Sequence, residues 1–156
     1  MNAASVCREL ALRVGFATLA TVSRDPPGYP FATLVAIAVD ARGRPLLLLS
    51  RLAEHTKNLD ADQRASILIT EPGLRENPLA AGRMTLVGTC CLVPESEGTR
   101  TTFLGVHPEA TEYAGLPDFA MWRLEVVGVR WIGGFGRMEW VSGEDYTADP
   151  ATQGYP

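Results

Sequence analysis

The chain has 156 residues, of which 46% are hydrophobic and 21% are charged, a balance typical of a single globular domain and incompatible with a disordered or collagen-like chain. Fourteen Lys and Arg against eighteen Asp and Glu give a formal net charge of -4, which disfavours a nucleic-acid-binding protein with a basic face. Three cysteines, two of them adjacent, form neither an even disulfide set nor a C-x-x-C pair, so we expect a cytoplasmic protein.

Two further features are missing from the sequence, a membrane-spanning segment and a metal-binding motif. The sequence contains no run of eighteen apolar residues, so we expect no membrane span. It has two histidines and neither an H-E-x-x-H motif nor a His/Cys ligand spacing, so we expect no metal site built from the protein alone.

The N-terminal part of the chain predicts a helix followed by two strands. Apolar residues at helical spacing behind Ser5, a candidate N-cap, predict a helix over residues 5–14. The runs 16–23 and 31–40 are rich in Thr, Val and Phe and flank the sequence DPPGYP, which predicts strand, loop, strand. In the second run large side chains alternate with alanines, so one face should pack a core and the other should admit something flat.

The middle of the chain predicts two more strands around a helix. Residues 45–50, PLLLLS, form a continuous apolar run, which is typical of a strand buried on both faces. A helix is predicted over 51–62 and a strand over 65–70. Residues 71–82 contain two prolines and two glycines and no clear period, which predicts a long loop of the kind that is often functional.

The C-terminal part predicts a long strand, short helices and a last sheet segment. Residues 83–94 predict a strand with a bend or bulge at Gly88, and two short helices should follow. The segment 119–141 should hold at least two strands, broken at Gly133 and Gly134.

Taken together, these elements predict a mainly β protein. Six or seven strands follow one another like hairpins, with only a few short helices, which favours a closed or half-closed antiparallel β-barrel over an alternating α/β sheet. We expect a single domain over residues 1–143 and a C-terminal tail over 144–156, whose composition is polar.

The segment SRLAEHTK, residues 50–57, is the first candidate binding site. It lies where a buried strand ends and a helix begins, and it carries the hydroxyls of Ser50 and Thr56 and the cations of Arg51 and Lys57. Free backbone N–H groups at a helix start, with hydroxyls and cations, suit a phosphate monoester. The alternative is that the hydroxyls cap the helix and the cations are solvated.

Other candidates are less specific. Arg83 opens a mostly uncharged strand and is either a cation that faces a ligand or a solvated residue at a strand edge. The glycines of GGFGR, residues 133–137, either permit a close backbone approach or form a bulge. His107 precedes Pro108 and is interpreted as a helix-entry residue. Since there is no G-x-S-x-G motif and the histidines are scattered, no catalytic residue is assigned.

Four segments together resemble the pyridoxamine 5'-phosphate oxidase-like FMN-binding split barrels, and among these the HugZ-type haem-utilisation branch. They are GYPFATLVAIAVDARGRPLLLLSRLAEHTKNL, RMTLVGT, VHPEATEYAGLPDFAMWRLEV and RWIGGFGRMEWV. The resemblance runs from about Phe16 to Val141. It implies an FMN-binding split β-barrel that forms a homodimer, with FMN at the subunit interface and a small molecule as the substrate of an oxidoreductase.

The resemblance also implies which residues bind the flavin. Thr33, Leu34 and Val35 would contact the isoalloxazine ring, largely through the backbone. The ribityl phosphate would be surrounded by Leu49, Ser50, His55, Thr56 and Lys57. Arg83 would lie near the flavin, and Gly134 and Phe135 of the GGFG segment would approach the cofactor or the dimer seam.

Two alternatives remain beside the flavoprotein. The first is a haem-binding protein of HugZ type. It is placed second because those members use an axial histidine from a C-terminal segment, whereas no histidine follows His107 here, and because longer relatives append a further small domain. The second is a dimeric binding module without a cofactor, since no acid, base or nucleophile can be assigned.

Overall fold

An antiparallel sheet of eight strands dominates the computed structural model, which describes residues 2–73, 76–134 and 136–148. The strands are β1 Phe16–Arg24, β2 Pro27–Ala36, β3 Ala38–Val39, β4 Pro45–Ser50, β5 Arg64–Thr70, β6 Gly82–Leu92, β7 Phe119–Gly133 and β8 Met138–Ser142. The helices are α1 Ala3–Leu12, α2 Glu54–Ala61, α3 Thr99–Val106, α4 Thr111–Ala114 and α5 Gly143–Thr147. Within the described ranges, every helix is too short or too polar to cross a membrane.

The two end strands of the sheet follow each other directly in the chain, so the sheet closes into a barrel. Its strand order is β2-β1-β5-β6-β7-β4-β3, with β8 added to β7. The strands at the two ends of this order, β2 and β3, are separated in sequence only by Ile37, which is fully buried. The ends of the sheet are therefore covalently adjacent, and the prediction of a mainly β barrel with a few short helices is confirmed.

Long strand β7 holds the barrel together because it pairs with three neighbours. It lies against β4 at its start, against β6 along most of its length and against β8 at its end. The register shifts between Val87 and Gly88, where a Cβ on Gly88 would lie 2.1 Å from the Glu125 carbonyl oxygen. The predicted bulge at Gly88 is confirmed, and only glycine allows this close approach.

Two apolar clusters lie on opposite faces of β4. Leu47 and Leu49 belong to the cluster inside the barrel, whereas Leu46 and Leu48 belong to a second cluster with Phe103 of α3. All four leucines are less than 9% exposed. The prediction that PLLLLS is buried on both faces is confirmed, and the reason is that α3 and α4 cover the outer side of this strand.

Two local predictions near the N-terminus are wrong. Helix α1 is capped by Asn2, whose Oδ1 accepts a hydrogen bond from the Ser5 backbone N–H at 2.9 Å, so Ser5 is inside the helix rather than at its cap. Strand β2 begins at Pro27, so most of the predicted loop DPPGYP is strand. Proline is tolerated there because β2 has a paired neighbour only on its β1 side.

The prediction of a tail from residue 144 is also wrong for its first part. Residues Gly143–Thr147 form α5, and Tyr146 is fully buried. Its hydroxyl donates a hydrogen bond to the Gly43 carbonyl oxygen at 2.7 Å. The Arg8 guanidinium donates to the carbonyl oxygen of Tyr146, also at 2.7 Å. One aromatic side chain and one arginine thus dock a segment whose average composition is polar.

Candidate functional site

A cleft of about 260 Å³ lies between the end of β2, the end of β4 and the start of α2. Five of the residues predicted from the sequence line it: Leu34, Val35, Leu49, Ser50 and His55. These segments meet because β2 continues through Ile37 into the β3–β4 hairpin, which brings the ends of β2 and β4 together. The walls are mostly apolar, and the polar groups are concentrated at Ser50 and His55.

His55 is held at the cleft by a residue of β2. Its Nδ1 lies 3.2 Å from the Thr33 hydroxyl oxygen, and both residues are partly buried. Burial lowers the pKa of His55 from its ordinary value, because an imidazolium ion loses hydration there. The imidazole is therefore neutral at pH 7, with one nitrogen that can accept a hydrogen bond or bind a metal ion.

Ser50 is tied to a carboxylate that the sequence analysis did not select. Its hydroxyl donates to Asp118 Oδ2 at 2.8 Å and accepts from the Leu52 backbone N–H at 3.1 Å. Next to it, the Arg51 guanidinium donates to the Pro117 carbonyl oxygen at 2.8 Å. The end of β4 is thus fastened to the segment that precedes β7.

Lys57 and Thr56 differ in their surroundings. The ammonium of Lys57 forms an ion pair with Glu54 Oε1 at 3.0 Å on the surface of α2, where both side chains are more than a third exposed. Thr56 is fully buried, and its hydroxyl has no hydrogen-bond partner among the described residues. Neither residue lines the cleft, although both are adjacent to His55 in the chain.

Arg83 and Gly134 lie away from this cleft. Arg83 is on β6, three strands along the sheet from β2, and its guanidinium donates to the Leu79 carbonyl oxygen at 2.8 Å. Gly134 has φ +99°, and a Cβ there would lie 3.2 Å from the Ala80 carbonyl oxygen. The close approach at GGFG is therefore to the loop before β6. Phe135 lies outside the described residues.

Residues that the sequence did not indicate complete the cleft or hold its walls. Tyr113 and Phe119 line it, with ring centroids 4.9 Å apart, and Asp118 holds Ser50. The β4–β7 register places Phe119 directly opposite Ser50. No local pattern identifies these residues, because Phe119 reaches the cleft through the pairing of β7 with β4, about 70 positions apart in sequence, and Tyr113 packs against Phe119.

A larger cleft, of about 420 Å³, lies between α1 and the β3–β4 turn. It is lined by Arg8, Asp40 and Gly43 among others and contains none of the predicted site residues. In the described part of the chain, no group of three or more His, Cys, Asp or Glu side chains is arranged to hold a metal ion.

The sequence matches the family model "CREG, beta-barrel" over residues 1–148. It is 37% identical over 128 residues to the "Non-canonical heme oxygenase HOZ, chloroplastic" of Arabidopsis thaliana, a match that covers 81% of this chain and 39% of that protein.

Solved structures give the same fold. The heme binding protein from Mycobacterium smegmatis has a TM-score of 0.89 and 38% identity, with 94% of this chain and 60% of that chain covered. A Clostridium acetobutylicum protein of the pyridoxinephosphate oxidase family has a TM-score of 0.66 and 12% identity, over 89% and 93% of the two chains, which shows the fold alone. The chain thus spans 39% and 60% of the lengths of the first two relatives.

Proposed function

We propose that this chain, which belongs to the CREG β-barrel family, binds haem in the cleft between β2, β4 and α2. The proposal is supported by its similarity, along most of its length, to two proteins whose names refer to heme. The observation that carries the proposal is the cleft itself, which combines mostly apolar walls with one neutral imidazole.

The residues at the cleft suit a haem chemically. A porphyrin is flat and apolar, and its iron is commonly bound by an uncharged imidazole. Leu34, Val35 and Leu49 supply apolar surface, and Phe119 supplies an aromatic ring. His55 supplies the imidazole, and burial keeps its pKa low enough for it to stay neutral at pH 7.

FMN is the second candidate, and Ser50 and Lys57 are the observation that favours it. Both are groups that can bind a phosphate, and both are near the cleft in sequence. In the structure, however, the Ser50 hydroxyl donates to Asp118 at 2.8 Å and the Lys57 ammonium pairs with Glu54 at 3.0 Å. Both groups are therefore engaged within the chain, and haem is preferred because the names of the two similar proteins refer to heme.

We also propose that the protein is a homodimer whose second copy covers the outer face of the sheet. Strand pairing places several large exposed side chains on this face: Phe16, Leu34, Leu68, Met138 and Trp140. An apolar surface of this kind marks an interface. Leu34, 77% exposed, also lines the cleft, so a second copy on this face would add a wall to the cleft.

Light scattering tests the homodimer. Leu34→Asp places a charge in the proposed interface and is expected to convert the dimer into a monomer, whereas Leu12→Asp, at a residue 69% exposed on α1, should leave it unchanged. A monomeric wild-type protein, or a Leu34→Asp variant that stays dimeric, would contradict the interface.

Absorption spectroscopy tests the ligand. The purified protein is titrated with haemin and, separately, with FMN, and is then desalted. We expect a retained Soret band and no retained flavin bands. Retained FMN without haem would favour the flavoprotein, and retention of neither would favour a binding module without a cofactor.

A matched pair of variants tests the place of binding. Ala53 lines the proposed cleft, and Ala41 lines the larger one. Ala53→Phe should weaken haem binding by at least about tenfold, because the ring occupies volume that the haem needs. Ala41→Phe should leave the affinity unchanged. Equal affinities in the two variants would exclude this cleft.

A further inference from the structure

The two histidines of the chain differ in whether a ring nitrogen is free to bind a ligand. His107 is 3% exposed, and both of its ring nitrogens have partners. Nε2 lies 2.9 Å from the Ile37 carbonyl oxygen, and Nδ1 lies 3.2 Å from Glu109 Oε1. Its ring also packs against Phe103, with centroids 4.9 Å apart. His107 therefore fastens α3 to the barrel and has no free nitrogen for a metal.

His55 has a free nitrogen. Only its Nδ1 has a hydrogen-bond partner among the described residues, the Thr33 hydroxyl at 3.2 Å. The ring lines the cleft, whose walls are mostly apolar. A neutral imidazole with one nitrogen in a hydrogen bond keeps its second nitrogen for a ligand.

We propose that Nε2 of His55 is the protein ligand of the haem iron and that Thr33 is the residue that positions it, an inference that rests on the proposed function. Thr33 fixes which nitrogen of the His55 ring carries the hydrogen. When Nε2 binds iron, Nδ1 must carry the hydrogen, and the Thr33 hydroxyl oxygen is placed to accept it. An acceptor on the other ring nitrogen orients the imidazole and raises its basicity as a ligand.

This assignment differs from the one that the sequence suggested for both residues. There, Thr33 was expected to contact a flavin ring through its backbone and His55 to contact a phosphate. The structure brings their side chains together, so that one hydroxyl and one imidazole form a unit. A metal-binding histidine commonly has its other ring nitrogen in a hydrogen bond, as His55 has with Thr33.

Haem titration of the His55→Ala variant tests the ligand. The wild-type spectrum should be that of haem bound through an imidazole, and the variant should lose this signature and bind haem more than about tenfold more weakly. Added free imidazole should restore the wild-type spectrum in the variant. The control is Lys57→Ala, on the same helix but away from the cleft walls, which should keep the wild-type spectrum.

Thr33→Val tests the positioning residue, with Thr33→Ser as the conservative control. Valine has the shape of threonine but accepts no hydrogen bond. We expect Thr33→Val to keep the imidazole-ligated spectrum, to weaken haem affinity about tenfold and to raise the midpoint potential of the iron, since a less basic imidazole stabilises the ferric state less. Serine keeps the hydroxyl and should restore both values. A nitrogen-15 NMR spectrum of the haem-free protein should show the hydrogen on Nδ1 of His55.

The outcomes separate this inference from the proposal on which it rests. A wild-type protein that binds no haem would overturn both. Wild-type binding with an unchanged spectrum in His55→Ala would overturn the ligand alone and leave haem binding in place. A Thr33→Val variant with the wild-type midpoint potential and affinity would overturn the role of Thr33, whatever the result at His55.

Discussion

Replacing Tyr146 should markedly lower the melting temperature of the protein, although the segment around it has the composition of a tail. The side chain is fully buried in the cluster inside the barrel. Removing a buried aromatic ring costs about 3–5 kcal/mol, because its contacts are lost and a cavity remains. Tyr146→Phe removes only the hydroxyl and leaves the Gly43 carbonyl oxygen without its donor, at a cost of about 1–2 kcal/mol.

Chemical and thermal denaturation monitored by circular dichroism measure these differences. For a chain of this length, Tyr146→Ala should lower Tm by roughly 10 °C. Tyr29 gives a matched control, because it is 65% exposed and the same substitution there should change the free energy of unfolding by less than about 0.5 kcal/mol. If Tyr146→Ala is as stable as Tyr29→Ala, α5 does not dock as the structure shows, and the domain ends where the composition suggested.

Gly88→Ala should destabilise the fold by about 1–3 kcal/mol in urea titrations, since its Cβ would lie 2.1 Å from the Glu125 carbonyl oxygen. The control Gly105→Ala, with open space around it, should be neutral or stabilising. Because the pKa of His55 is lowered in the folded protein, the unfolded chain binds the proton more tightly, and the free energy of unfolding should fall as the pH drops below about 6.5. The His55→Gln variant should show a smaller fall between pH 7.5 and 5.5. Superimposable pH profiles of the two proteins would contradict this. Arg44→Met breaks ion pairs with Asp40 at 2.8 Å and with Glu125 at 3.0 Å. Because the Arg44 and Asp40 side chains are only 18% and 15% exposed, we expect a loss of about 1–3 kcal/mol that high salt reduces only in part. A loss below about 1 kcal/mol, or one that high salt abolishes, would contradict a buried Arg44–Asp40 pair.

Half of the candidate site follows from the sequence and half does not. The segment SRLAEHTK was predicted to lie where a buried strand meets a helix, and its Ser50 and His55 do line the cleft. Leu34, Val35 and Leu49 also line it, as residues of the two strands selected. Arg83, by contrast, lies three strands away, and a residue at a strand start gives no local indication of which strand it will face.

The sequence by itself determined the class of the fold and the burial of its strands, because alternation and apolar runs are local properties that burial selects directly. PLLLLS is an example, since five apolar residues in succession can be accommodated only where both faces of the strand are covered. Only the tertiary structure decided which side chains meet. The Thr33–His55 pair, the Asp118 carboxylate at Ser50 and the docking of Tyr146 each join residues more than twenty positions apart. Such contacts depend on strand register and barrel closure, which no short window of sequence contains.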